Sequence, residues 1–127
     1  MTRMWPKADA LVITLLNARC SAPAASKIPN PRPSSYFQVQ VTGSTVRGTN
    51  VRDVHVTIGA TAATESAASD LADEAVAALT DWWTDVAWVP EGEDGWVGGP
   101  YSFPDPIADL PRYQMTVIVR TTLQEDA

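Results

Sequence analysis

His55 is the single histidine of the chain, and it stands two residues after Asp53. On a strand that spacing puts both side chains on one face, as an acid/base pair would need. A nucleophilic triad also requires a serine presented by a suitable turn, and the chain has no G-x-S-x-G motif. His55 therefore reads first as a sheet-face or interface histidine. Glu91, Glu93 and Asp94 form an acidic run without the spacing or the closing Glu of an EF-hand loop. Gly92, Gly95, Gly98 and Gly99 lack the G-x-x-x-x-G-K-[ST] pattern, and no Lys lies near them to meet a phosphate. Cys20 is the only cysteine, so neither an intrachain disulfide nor a cysteine-held metal is available. The expectation is a protein without enzymatic activity, metal or cofactor. The competing reading is a small cytosolic enzyme or ligand-binding domain that uses a cleft beside His55.

Aromatic residues offer contact chemistry instead. Trp82, Trp83, Trp88, Trp96, Tyr101 and Phe103 fall within 22 residues, among Pro100, Pro104 and Pro106. Either this loop folds back and buries its rings, or the rings stand at a surface and make protein contacts. Charge is divided along the chain. Residues 1–60 carry seven basic and two acidic groups, a balance of +5; residues 61–127 carry two basic and thirteen acidic groups, a balance of −11. The halves either neutralise each other within one molecule or meet head to tail between copies. The acidic half argues against a general nucleic-acid binder, which needs a basic face.

These residues sit on readable elements. Segment 6–20 reads as a helix with Pro6 in its first turn, Asp9 near the positive end and Leu11, Leu15 and Ala18 in a stripe. Prolines 23, 29, 31 and 33 make 21–35 an extended connector. Residues 36–42 and 51–59 alternate as half-buried strands and predict an antiparallel hairpin with a long loop. Arg47 and Arg52 would stand at its tip. The alanine-rich segment 61–85 predicts the longer helix, capped by Thr61 or Thr64, with Leu71, Ala75, Leu79 and Trp82 buried. A loop over about 88–111 holds a short strand near 95–98; residues 112–122 alternate as a last strand before a mobile tail over about 123–127. This order predicts one α+β domain over 1–127: an antiparallel or mixed sheet of about four strands with two helices on one face.

The 127 residues and 45% apolar content suit one globular domain. No apolar run approaches the roughly 20 residues of a membrane span, and the first residues make a poor signal peptide.

Two segments carry a resemblance. VHVTIGATAATESAASDLADEAVAAL, from Val54 to Leu79, is a strand-to-helix passage. From Gly98 to Arg120, a Gly-Pro-aromatic loop, a proline-rich turn and an Arg-Tyr-Gln lead-in precede an alternating strand. The chain resembles the tail-terminator proteins of long-tailed (siphovirus) phages, especially those infecting actinobacteria, over most of its length. The resemblance implies a lambda-like tail-terminator fold and a homohexameric ring on the head-proximal end of the tail tube. Such a ring stops tube polymerisation and presents a surface to the head connector. It also implies a place in the virion after assembly in the host cytoplasm, with the tube protein, the connector or stopper, and further copies as partners. DNA would pass through the lumen without sequence-specific contact. The family has no short active-site motif to transfer. The residues expected at interfaces are Arg47, Arg52, Trp96, Tyr101, Phe103, Asp105 and Arg112. Another head-to-tail joining protein, such as a stopper, is the nearest alternative.

Overall fold

The computed structural model describes residues 3–28, 30–91, 95–105 and 109–125. Strand β1 (Arg3–Met4) leads into helix α1 (Ala8–Arg19). Strands β2 (Ala24–Ala25), β3 (Tyr36–Arg47) and β4 (Val51–Thr61) follow, then helix α2 (Glu65–Thr80). Strands β5 (Ala87–Trp88), β6 (Trp96–Ser102), β7 (Arg112–Thr122) and β8 (Gln124–Glu125) complete the order. The fold is α+β. Its main sheet is mixed and has six strands in the order β2-β3-β4-β7-β5, with β6 also paired to β7. The expected four strands are therefore too few: β2 and β5 are two-residue edges with too little sequence to show periodicity.

The long strands arise where alternation is strong. Val54, Val56 and Ile58 of β4 oppose Val119, Val117 and Met115 of β7, and Val39 and Phe37 of β3 oppose Ile58 and Ala60. Opposed residues share a face, so one side of the sheet is continuously apolar. Both helices cover that side. Val12, Leu15 and Leu16 of α1 and Leu71, Ala75 and Leu79 of α2 join it in one buried cluster. Each large side chain buried there contributes about 1.5–3 kcal/mol relative to exposure.

Helix ends follow local chemistry. Thr64 caps α2 by accepting from the Ala67 N–H at 3.1 Å. The helix is shorter than 61–85 because Thr61 belongs to β4 and the chain turns after Asp81 toward β5. Helix α1 begins after Pro6, with Lys7 in the N-cap position, and its buried stripe runs through Ala8, Val12, Leu15 and Leu16 rather than Ala18.

The connector is partly structured. The Asn17 side chain accepts from the Ala24 N–H at 2.9 Å and donates to its carbonyl at 3.1 Å, holding β2 beside β3. The hairpin loop is short, not long. β3 extends to Arg47, and only residues 48–50 separate it from β4. Gly48 takes φ +79°, a turn conformation that a side chain disfavours. Gln124 and Glu125, expected in a mobile tail, pair with Met4 and Arg3. Gly92, Glu93 and Asp94 of the acidic run, and Pro106, lie outside the described residues. No described helix is long and apolar enough to cross a membrane.

Candidate functional site

The polar face of the sheet turns away from the helices. Thr42, Thr57 and Thr116 form a hydroxyl chain across β3, β4 and β7, with both O···O distances at 3.0 Å. Further along this face Asp53 is only 2% exposed. Arg120 grips it from β7 at two points, Nε–Oδ1 2.8 Å and Nη2–Oδ2 3.2 Å. Arg47 pairs with it from β3 through Nε. Burial alone pushes the Asp53 carboxyl up. Hydrogen bonding and charge from Arg120, then from Arg47, outweigh burial and hold it below the ordinary carboxylate value.

This arrangement changes the reading of His55. It opposes Ile118 and shares the polar face with Asp53, but the carboxylate expected to orient it is held by the two arginines. Cys20 is half-buried, and its thiol is pushed up by burial and then by the Glu74 carboxylate. That carboxylate accepts from both the N–H and the hydroxyl of Ser21, at 2.9 and 2.7 Å. A raised value means less thiolate, the form that acts as a nucleophile. Among the described residues no group of three His, Cys, Asp or Glu side chains could hold a metal ion.

The expected interface residues separate into three places, with Trp96 outside all of them. Arg47 and Arg52 both lie by the hairpin turn, but on opposite faces, because Arg47 opposes Val51 while Arg52 opposes Val46. The Arg52 guanidinium stands 5.0 Å over the Trp5 ring, and its buried Nε has no hydrogen-bond partner among the described residues. With Lys7, Asp9, Val41 and Ser44 it lines a cavity of about 260 Å³.

The second place joins Tyr101, Phe103 and Arg112. Arg112 donates to Gln114 Oε1 at 3.2 Å, and the Gln114 amide donates to the Tyr101 hydroxyl at 3.2 Å. Tyr101 and Phe103 meet edge to face, 6.4 Å between centres. Arg112 owes its position to Gly59, because a Cβ at Gly59 would collide with its guanidinium. Trp96 stands apart and donates from Nε1 to the Gly99 carbonyl at 2.8 Å.

Asp105 is in the third place. It is buried and pairs with Arg32 at 3.5 Å. The same guanidinium donates to the Tyr36 hydroxyl at 3.1 Å and lies 5.8 Å from its ring centre. Asp105 therefore ties the connector to the loop before β7. The sequence reading missed Arg32 as its partner; they lie 73 residues apart.

The aromatic question divides. Trp82 is buried in the core, whereas Trp83 is 66% exposed and Tyr101 and Phe103 are exposed. Trp83 and Trp88 face each other across an antiparallel bridge. A cavity of about 530 Å³ lies against both rings, with Asp81, Glu91 and Arg120 also on its wall.

The structure thus gathers polar and aromatic side chains at the two ends of one sheet. Set against known proteins, the chain matches no family model and no curated protein.

Proposed function

We propose that this protein is a structural component of a phage tail, a terminator. Copies of the chain close as a ring on the head-proximal end of the tail tube, stop its growth and offer the surface that meets the head connector. The two segments that resemble tail terminators motivate this reading, and the α+β frame accommodates it.

The observation that carries it is the unlikeness of the two ends of the sheet. Beyond Gln38, the outer edge of β3 has no strand partner among the described residues. It exposes Val41 and Val46, and Arg47 ends the strand. The opposite end, formed by β5 and β6, exposes Trp83, Val97, Tyr101 and Phe103. Large exposed apolar groups mark contact surfaces. Two different patches at opposite ends suit heterologous contacts, which close into a ring when the rotation permits. The charge division of the chain is met in part within the molecule, where the ion pairs Arg3–Glu125, Arg19–Asp81 and Arg32–Asp105 join the basic half to the acidic half, so the sheet ends alone favour head-to-tail contact. Pro100 and the irregular register of β6 blunt that edge as a template for a further strand. Side chains, rather than a shared ladder, would make the contact there. In such a ring the solvated acids of α2, Asp70 and Asp73, would repel passing DNA where they faced the lumen.

The test is the mass of the full chain by light scattering, alone and with tail tubes, followed by imaging of tube ends. A sixfold ring at one end of the tube is the expected result. A protein that ignores tubes and binds the head connector would be a stopper instead. Binding to neither would return attention to His55.

A further inference from the structure

The bridge between Trp83 and Trp88 is built by a tight turn. The Thr84 hydroxyl accepts from the N–H groups of Val86 and Ala87, at 3.3 and 2.9 Å, and the Ala87 carbonyl accepts from the Thr84 N–H at 2.9 Å. The two tryptophans therefore leave from facing backbone positions. They do not stack on each other: the one ring pair in contact among the described residues is Tyr101 with Phe103. The cavity of about 530 Å³ lies against them instead, with Asp81, Glu91 and Arg120 on its wall. Asp53 neutralises Arg120 through two hydrogen bonds, and Asp81 pairs with Arg19 at 3.2 Å, so Glu91 is the wall's carboxylate without an ion pair among the described residues. Aromatic faces beside carboxylates suit a cation. A planar guanidinium suits them better than an ammonium, because it stacks on a ring while its N–H groups reach an acid.

The register of the sheet identifies a source. Trp88 opposes Arg120, Arg120 opposes Asp53, and Asp53 opposes Thr45. Arg47 lies two residues beyond Thr45, on the same face and at the opposite end of the sheet. It is therefore about 7 Å from the level of Trp88 along the strand direction. Its side chain is 61% exposed, and its ion pair with Asp53 is made by Nε. A second copy displaced sideways along the sheet brings its own Arg47 backbone to within about 7 Å of the level of the Trp83–Trp88 cavity, a distance an extended arginine side chain spans.

We propose that the cavity between Trp83 and Trp88 receives the Arg47 guanidinium of a second copy of this chain, with Asp81 and Glu91 as its carboxylate neighbours. This rests on the ring reading above and names the contact that joins one copy to the next. Tryptophan and arginine are the residue types that most often dominate interface energy. The contact is heterologous: every copy gives an arginine at one end and a cavity at the other.

That asymmetry provides the test. Self-association of the full chain is measured by light scattering, alone and on tail tubes, for the wild type, Trp83→Ala and Arg47→Gln. Trp83 is mostly exposed, and Asp53 keeps Arg120 when Arg47 is replaced, so circular dichroism of both variants should match the wild type. Each variant should associate about tenfold more weakly, as expected for loss of an interface anchor. An equimolar mixture of the two should recover 1:1 complexes, because the first variant retains Arg47 and the second retains the cavity. The mixture should not close rings. Wild-type association in either variant, or a mixture that recovers nothing, overturns this contact and leaves the ring reading standing. A wild-type chain that does not associate, alone or on tubes, overturns both.

Discussion

Asp53 and Arg120 face each other across β4 and β7 and close a two-point ion pair on the polar face of the sheet. Arg47 adds a second cation from β3. One nearly inaccessible carboxylate therefore links three strands, at the end of the sheet farthest from the β2 pairing. Asp53→Asn should destabilise the fold by about 3 kcal/mol, the cost of removing one partner from a buried pair. Urea denaturation monitored by tryptophan fluorescence would measure it.

The same pair sets a pH dependence. The folded Asp53 carboxyl lies below its ordinary value, so the native state binds the proton more weakly than the unfolded chain. The stabilisation is complete above the unfolded value of about 3.9. It is lost as pH falls from there through the lower folded value. Thermal midpoints should decline along this acid limb, and Asp53→Asn should remove part of that decline.

Gly59→Ala tests how Arg112 is placed. The added Cβ meets only the far end of a flexible side chain, so the guanidinium can move away. The expected stability loss is about 1 kcal/mol or less, within the range of ordinary substitutions. The hydrogen bonds from Arg112 through Gln114 to Tyr101 should break. A crystal structure of the variant, with thermal melting beside it, would show both effects.

Thr64→Ala removes the side-chain cap of α2. The cost should be about 1 kcal/mol. Circular dichroism through thermal melting would register a lower midpoint with little change in folded helicity.

Cys20 should react slowly. Its raised thiol value leaves less thiolate at neutral pH than a free cysteine has. Iodoacetamide labelling at pH 7, followed by mass, should proceed more slowly than labelling of a cysteine peptide. Glu74→Gln removes one of the two causes and should speed it.

The strands beneath these predictions were legible where alternation was strict. YFQVQV, VHVTI and YQMTVIV show a period of two, and all three fall in β3, β4 and β7. The outer half of β3 was not legible, because TGSTVR alternates poorly and its pairing comes from the facing strand. β2 was hidden among prolines, held by an Asn17 contact seven residues away. The candidate site was less legible than the fold. Asp53 was placed with its neighbour His55, whereas its strongest partner lies 67 residues along the chain. Periodicity reports which face a side chain takes, and a non-local ion pair leaves no periodic trace. The aromatic run left burial and surface exposure both open, and only the fold sorts its members, with Trp82 in the core and Trp83, Tyr101 and Phe103 exposed.

The strand pairings also set an order of events in folding. β3 and β4 are joined by three residues, and such a hairpin can close within about 1–10 μs. β4 and β7 join Val56 to Val117, 61 residues apart, so a large loop must close before that ladder returns any free energy. During that delay the nascent hairpin has β4 unpaired on one side and the Val39–Arg47 stretch of β3 unpaired on the other. A newly made chain is therefore most prone to adhere to its neighbours before β7 arrives. Crowded synthesis of many copies would penalise any mutation that slows the closure.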